Sequence, residues 1–202
     1  LSSSSAASDV YKRQGMLAAT GDVDKYIDAL ERSLPCMRHR GPDAAGTWHD
    51  GDAAFGFNRL SIIDLEHSHQ PLRWGPEDQP NRYALTFNGE IYNYVELREE
   101  LKDLGYTFHT EGDGEPIVVG YHHWGKDVVN HLRGMFGIVI WDTHTKTMFA
   151  ARDQFGIKPL YYATTEAGAV FASEMKCILE MADEIGLEPV SYTHLTLPTK
   201  RI

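Results

Sequence analysis

Three short segments hold residue types that could do chemistry. The first, Phe57-Asn58-Arg59-Leu60-Ser61-Ile62-Ile63-Asp64, follows an apolar run with a lone arginine. A guanidinium there is either a solvated or salt-bridged surface group, or a clamp that grips a carboxylate through two parallel hydrogen bonds. The second is Phe87-Asn88-Gly89-Glu90-Ile91-Tyr92-Asn93. Asn-Gly after a strand-like run signals a turn. The same pair suits an oxyanion hole, because the Asn amide and a backbone N–H beside glycine can converge on one developing oxyanion. Glycine also lets backbone approach a ligand without Cβ interference. The third is Glu111-Gly112-Asp113-Gly114-Glu115. Asp113 reads as part of an acidic turn, as a helix cap, or as a carboxylate facing a cationic ammonium group. A calcium loop is disfavoured, since the oxygen spacing does not repeat as in an EF-hand.

Local periodicity indicates the elements that must position these segments. Residues 15–20 are short and apolar, consistent with a strand. Asp22 precedes a helix whose apolar face is Ile27, Leu30, Leu34 and Met37, with Pro35 shortening its last turn. Strands are expected at 46–49, 53–60 and 83–87, with a loop over 66–82. A second helix should start at Asn93, with Glu96 completing a capping box, and end at Gly105. Its apolar face is Tyr94, Leu97, Leu101 and Leu104. A strand is expected at 106–110, a helix from Pro116 to about Trp124, and a short helix over 127–133. Hairpins at 135–151 and 160–172 and a closing helix over 174–181 complete the pattern. Strands grouped into hairpins between helices argue for an α+β fold with antiparallel sheets.

Bulk properties narrow the function classes. The chain has 202 residues, enough for one domain with a substantial core. Its formal net charge of −10 argues against nucleic acid as the main partner, since phosphate binding needs a basic surface. No apolar run approaches the roughly 20 residues that span a bilayer. With two cysteines, Cys36 and Cys177, the expectation is a reducing cytoplasm and no disulfide framework. The ten histidines are scattered, with no HExxH or paired CxxC, so no metal site is expected.

The three segments, taken with their neighbours, resemble class II glutamine amidotransferases, the family with an N-terminal nucleophilic cysteine. Its markers run in family order over 15–188. They are Met37-Arg38-His39-Arg40-Gly41-Pro42-Asp43, then Arg59-Leu60-Ser61-Ile62-Ile63-Asp64, then Phe87-Asn88-Gly89-Glu90-Ile91-Tyr92-Asn93. Gly134-Met135-Phe136-Gly137 comes next, then Ala151-Arg152-Asp153-Gln154-Phe155-Gly156-Ile157-Lys158-Pro159-Leu160-Tyr161-Tyr162. Phe171-Ala172-Ser173-Glu174-Met175-Lys176 closes the set. The last two blocks look most like the glutaminase domain of glutamine-hydrolysing asparagine synthetases.

The resemblance implies a four-layer αββα sandwich of two antiparallel sheets and L-glutamine as substrate. It implies Arg59 on the glutamine α-carboxylate, Asp113 on its α-ammonium, and Leu60, Ile62, Ile63 and the Glu90 carbonyl around the rest. Asn88 and Gly89 would form the oxyanion hole. A thiolate would attack the side-chain amide, with the cysteine's own α-amino group as base. No cofactor is implied for this domain. ATP and Mg would serve a following synthetase domain, and the chain has no Gly-rich phosphate loop. For the full-length protein a homodimer is among the states the resemblance allows. Glucosamine-phosphate synthase and non-catalytic glutamine-binding relatives use the same domain and remain alternatives.

The flanks depart from the family. A DNA string that resembles a transposon adapter would translate as Ser4 to Gln14, and its reverse complement as Val190 to Thr199. The reading is therefore of non-native segments at 1–14 and 190–202 around an amidotransferase domain at 15–189. The chain is expected to be truncated at both ends, with Gly15-Met16-Leu17 as the tail of the family's first strand. Met-Cys-Gly just before Met16 would complete that strand. Cys36 and Cys177 read as small buried hydrophobes, so the chain as written is expected not to hydrolyse glutamine.

Overall fold

In the computed structural model the described residues are 14–42, 44–59, 70–165, 168–184 and 186. The expected end segments lie outside them apart from Gln14, as do Leu60, Ile62 and Ile63 and the side chain of Arg59.

Element order is β1 (Gly15–Thr20), α1 (Val23–Ser33), a 3₁₀ turn (Leu34–Met37), β2 (Ala44–His49), β3 (Ala53–Arg59), β4 (Leu72–Trp74) and β5 (Tyr83–Ile91). There follow α2 (Tyr94–Asp103), α3 (Gly114–Trp124), a 3₁₀ turn (Gly125–Asn130), β6 (Gly134–Asp142), β7 (Thr147–Arg152), β8 (Tyr161–Thr165), β9 (Gly168–Ala172) and α4 (Met175–Glu180). One sheet runs β2-β3-β1-β9-β8 and the other β4-β5-β6-β7. All strand pairs are antiparallel.

Side chains alternate across each strand, and that alternation builds the layers. On β1, Leu17 and Ala19 join Leu30, Leu34, Met37, Cys177 and Ile178 beneath α1 and α4. Met16 and Ala18 turn the other way, onto Phe55, Ala84, Val139 and Trp141 between the sheets. On β5 and β6, Leu85, Phe87, Ile138 and Ile140 meet Leu97, Leu101, Ile117 and Val118 of α2 and α3. The result is the expected αββα order. Each fully buried large aliphatic or aromatic side chain, such as Phe55 or Ile138, contributes roughly 1.5–3 kcal/mol by leaving water.

Several local expectations need correction. Asn93 makes no side-chain cap to α2. Its amide instead donates to the His131 carbonyl and accepts from Arg133 N–H, clipping the start of α2 to the entry of β6. Leu104 is half exposed. Residues 106–110 are not a strand. The amides of His109 and Thr110 there bond to the Glu115 carboxylate rather than to a ladder. The 66–82 loop contains β4, which pairs with β5. The short helix expected over 127–133 is the 3₁₀ turn at Gly125–Asn130.

The end of β5 remote from Asn88 is closed by a two-pronged ion pair. Arg82 Nε donates to Asp142 Oδ1 at 2.9 Å and Nη2 to Oδ2 at 2.6 Å. Burial alone would push the Asp142 carboxyl up, but the Arg82 hydrogen bond and the His144 and Thr145 amides outweigh it and hold the group below its ordinary range. A depressed folded value means stabilisation that is complete above the unfolded carboxyl's pKa and lost as pH falls through the folded one. Asp142→Asn is therefore expected to lower the unfolding free energy at neutral pH by about 2 kcal/mol. The gap between variant and parent should narrow below about pH 4 in denaturant titrations. A gap independent of pH would remove the ion pair as its cause.

Candidate active site

The Asn88-Gly89 pair is not a turn. It lies inside β5, with Asn88 opposite Gly137 and Gly89 opposite Phe136. The strand continues to Ile91 because β6 supplies ladder partners as far as Gly134. Close packing explains the glycines. A Cβ on Gly89 would stand 2.1 Å from the Met135 carbonyl oxygen, and one on Gly134 2.1 Å from the Glu90 carbonyl oxygen. Two bare backbones thus meet at the site end of the sheet.

Asn88 is fully buried. Its Oδ1 accepts from the backbone N–H of Gln14 at 3.1 Å. Its Nδ2 is buried with no hydrogen-bond partner among the described residues. A buried amide donor without a partner costs roughly 1–3 kcal/mol, so its retention asks for an explanation in function. Thr86, two residues earlier on the same face, donates its hydroxyl to Gln70 Oε1 at 2.8 Å. Gln70 Nε2 donates to the Phe87 carbonyl at 2.8 Å and contacts Gln14 Oε1.

Position 14 is the hinge between the two halves of the site. It precedes β1, whose register pairs Gly15 with Asn58. One step further along that register brings position 14 level with Arg59, the last residue of β3. Ser173 locks the start of β1: its hydroxyl accepts from Met16 N–H at 3.2 Å and its N–H donates to the Met16 carbonyl at 2.9 Å.

Asp113 stands where a cap for α3 would stand, yet makes no side-chain capping bond. Its Oδ2 accepts from Ile91 N–H at 3.1 Å, joining the 109–113 loop to the end of β5. The structure thus gathers Asn88, Gly89, Glu90 and Asp113 about one end of one sheet and brings the end of β3 towards it from the other. Gln14 and Gln70 were not singled out by sequence reasoning. Gln70 sits beside a proline in a polar stretch, and nothing local marks it.

The remaining markers are architectural. Asp153 accepts from the amides of Phe136, Phe155, Ile157 and Lys158 at 3.0–3.2 Å, and Arg152 Nε donates to the Lys158 carbonyl at 2.7 Å. Glu174 pairs with Arg40 and lies 3.3 Å from His39 Nε2. Cys177 is buried, which pushes its thiol up to about 12. At neutral pH almost no thiolate forms there. Cys36 is half-buried in the first 3₁₀ turn.

A family model described as a glutamine amidotransferase domain matches residues 14–196. The chain belongs to that family. A relative from Mycobacterium tuberculosis, provisionally named a glutamine-hydrolysing asparagine synthetase, is 58% identical over 79% of this chain and 26% of its own length. Asparagine synthetase [glutamine-hydrolyzing] 1 of Bacillus subtilis is 45% identical over 85% of this chain and 26% of its own. This chain therefore spans about a quarter of the length of these relatives. Among solved structures, a glutamine phosphoribosylpyrophosphate amidotransferase from B. subtilis superposes with a TM-score of 0.65 at 21% identity, covering 85% of this chain and 43% of that one. The fold is the one this amidotransferase structure has.

Because Gly89 has no room for a methyl group, Gly89→Ala should destabilise the domain by about 1–3 kcal/mol. Chemical denaturation checks this, and an unchanged midpoint would show that β5 and β6 can part at no cost.

Proposed function

We propose that this chain is the glutaminase portion of a glutamine-hydrolysing asparagine synthetase, and that position 14 is where the nucleophilic thiol belongs. One observation carries the reading. The Asn88 carboxamide holds the backbone nitrogen of residue 14 through its oxygen, and its buried N–H₂ has no partner among the described residues. With cysteine first in the chain at position 14, that backbone nitrogen is a free amine, the base that activates its own thiol. Its ordinary pKa, near 8, suits proton transfer at neutral pH.

The chemistry follows from that arrangement. Sulfur attacks the side-chain amide carbon of glutamine, a C–S bond forms, and negative charge builds on the amide oxygen. Asn88 Nδ2 and the Gly89 N–H receive that charge. The α-amine passes the thiol's proton to the leaving nitrogen, the C–N bond breaks and ammonia departs. Water then cleaves the thioester, releasing glutamate and restoring the thiol. In this reading Arg59 grips the α-carboxylate and Asp113 the α-ammonium, with Leu60, Ile62, Ile63 and the Glu90 carbonyl lining the remainder. Ammonia is consumed by a synthetase domain that uses ATP and magnesium; the identity to named asparagine synthetases supports this assignment. With Gln14 in place the chain is inactive.

A chain begun at position 14 with Gln14→Cys should release ammonia from glutamine, measured by a coupled glutamate assay. A folded protein of that kind without activity would end the proposal. In that background Asn88→Ala should slow turnover by about 10²–10³-fold with little change in KM. Arg59→Ala should raise KM with kcat nearly unchanged. The reverse pattern would exchange their roles.

A further inference from the structure

The loop that presents Asp113 is built from two buried charges that no motif assigned. Arg98, on the buried face of α2, is 5% exposed. Its Nη1 donates to the Thr110 carbonyl at 2.7 Å and to Glu111 Oε2 at 2.8 Å, and its Nη2 to the Gly112 carbonyl at 2.8 Å. The guanidinium lies over the Phe108 ring, 5.3 Å from its centroid. Glu115, on α3 and 1% exposed, takes the other polarity. It accepts from His109 N–H at 2.9 Å, Thr110 N–H at 2.7 Å and the Thr110 hydroxyl at 2.8 Å. One helix thus holds the loop's carbonyls and the next its amides, within the four residues before Asp113.

A buried arginine with three directed bonds is a costly way to tie down a surface loop, since a hydrophobic side chain would fill that face of α2 with no desolvation penalty. Glu111 is almost fully exposed, so its ion pair adds little. What Arg98 supplies is direction, because a planar fork fixes two carbonyls at once and so sets the course of the backbone into Asp113.

We propose that Arg98, with Glu115 opposite, is a positioning residue for recognition of the substrate's α-ammonium, acting through the Asp113 carboxylate. This rests on the reading of Asp113 given under the proposed function. Neither residue touches substrate. Loosening the clamp lets the Asp113 carboxylate wander from its place against Ile91 N–H, which weakens substrate binding without altering the Asn88-Gly89 chemistry.

The test uses the chain begun at Gln14→Cys, with ammonia release as readout and thermal melts to establish folding. Arg98→Met is expected to raise KM for glutamine about 10-fold while kcat stays within about 2-fold. In an Asp113→Asn background the same change should leave KM nearly where Asp113→Asn alone put it, because the group through which Arg98 acts is gone. Additive effects on KM, or a fall in kcat instead, would make Arg98 merely structural and overturn the inference. If Arg98→Met does not fold, Glu115→Gln loosens the loop from the amide side and must show the same non-additivity. If Asp113→Asn itself leaves KM unchanged, the reading of Asp113 fails and this inference with it. If Asp113→Asn raises KM while neither clamp variant does, only this inference fails.

Discussion

The Asn88 carboxamide, with its oxygen bonded and its buried nitrogen without a partner among the described residues, is the constraint on which the candidate site depends. It cannot turn to find another partner, because its oxygen is engaged by the nitrogen of residue 14. It cannot shift along the strand, because Gly89 and Gly134 bring the β5 and β6 backbones too close for any side chain between them. The cost of an unsatisfied buried donor is met by the ladder around it. A donor held still before charge develops needs no reorganisation when it does, and this gives such a group its catalytic value.

Around that point the two sheets contribute different chemistry. The first sheet brings position 14 and, level with it one step beyond the Gly15–Asn58 pair, the end of β3. The second brings Asn88, Gly89 and Glu90, with Asp113 tied to it through Ile91 N–H. Neither sheet alone holds both position 14 and the Asn88-Gly89 pair. The small side chains Ala18, Ala53 and Ala84 in the inter-sheet layer keep the halves close. Other family markers serve this closeness at a distance. Ser173 pins the start of β1, Glu174 draws in the His39-Arg40 loop, and Asp153 gathers four amides into one turn beside β6.

Much of the fold is legible in side-chain periodicity. The apolar stripe of Ile27, Leu30, Leu34 and Met37 along α1 and the 3₁₀ turn after it, and the β6–β7 hairpin, are local patterns with local causes. Failures came where a distant partner overrides the local preference. Asn88-Gly89 carries turn chemistry, yet β6 pairs straight through it. Residues 106–110 have strand composition, but Glu115 and Arg98 supply the hydrogen bonds a neighbouring strand would have made. β4 has three residues, too few to show a period, and exists because β5 offers an edge. Arg98 had a readable signal. It sits one residue after Leu97 and three before Leu101, a charge inside an apolar stripe.

The sequence by itself determined the family, the order of its markers and the residue types of the site, because motif chemistry and side-chain alternation are written in neighbouring residues. Only the tertiary structure decided which of those residues meet. It made Asp113 a partner of β5, set residue 14 against Asn88, and left Asn88 Nδ2 without a hydrogen-bond partner among the described residues. Such outcomes depend on contacts between segments tens of residues apart, where strand register and backbone proximity, not local propensity, determine the lowest free energy.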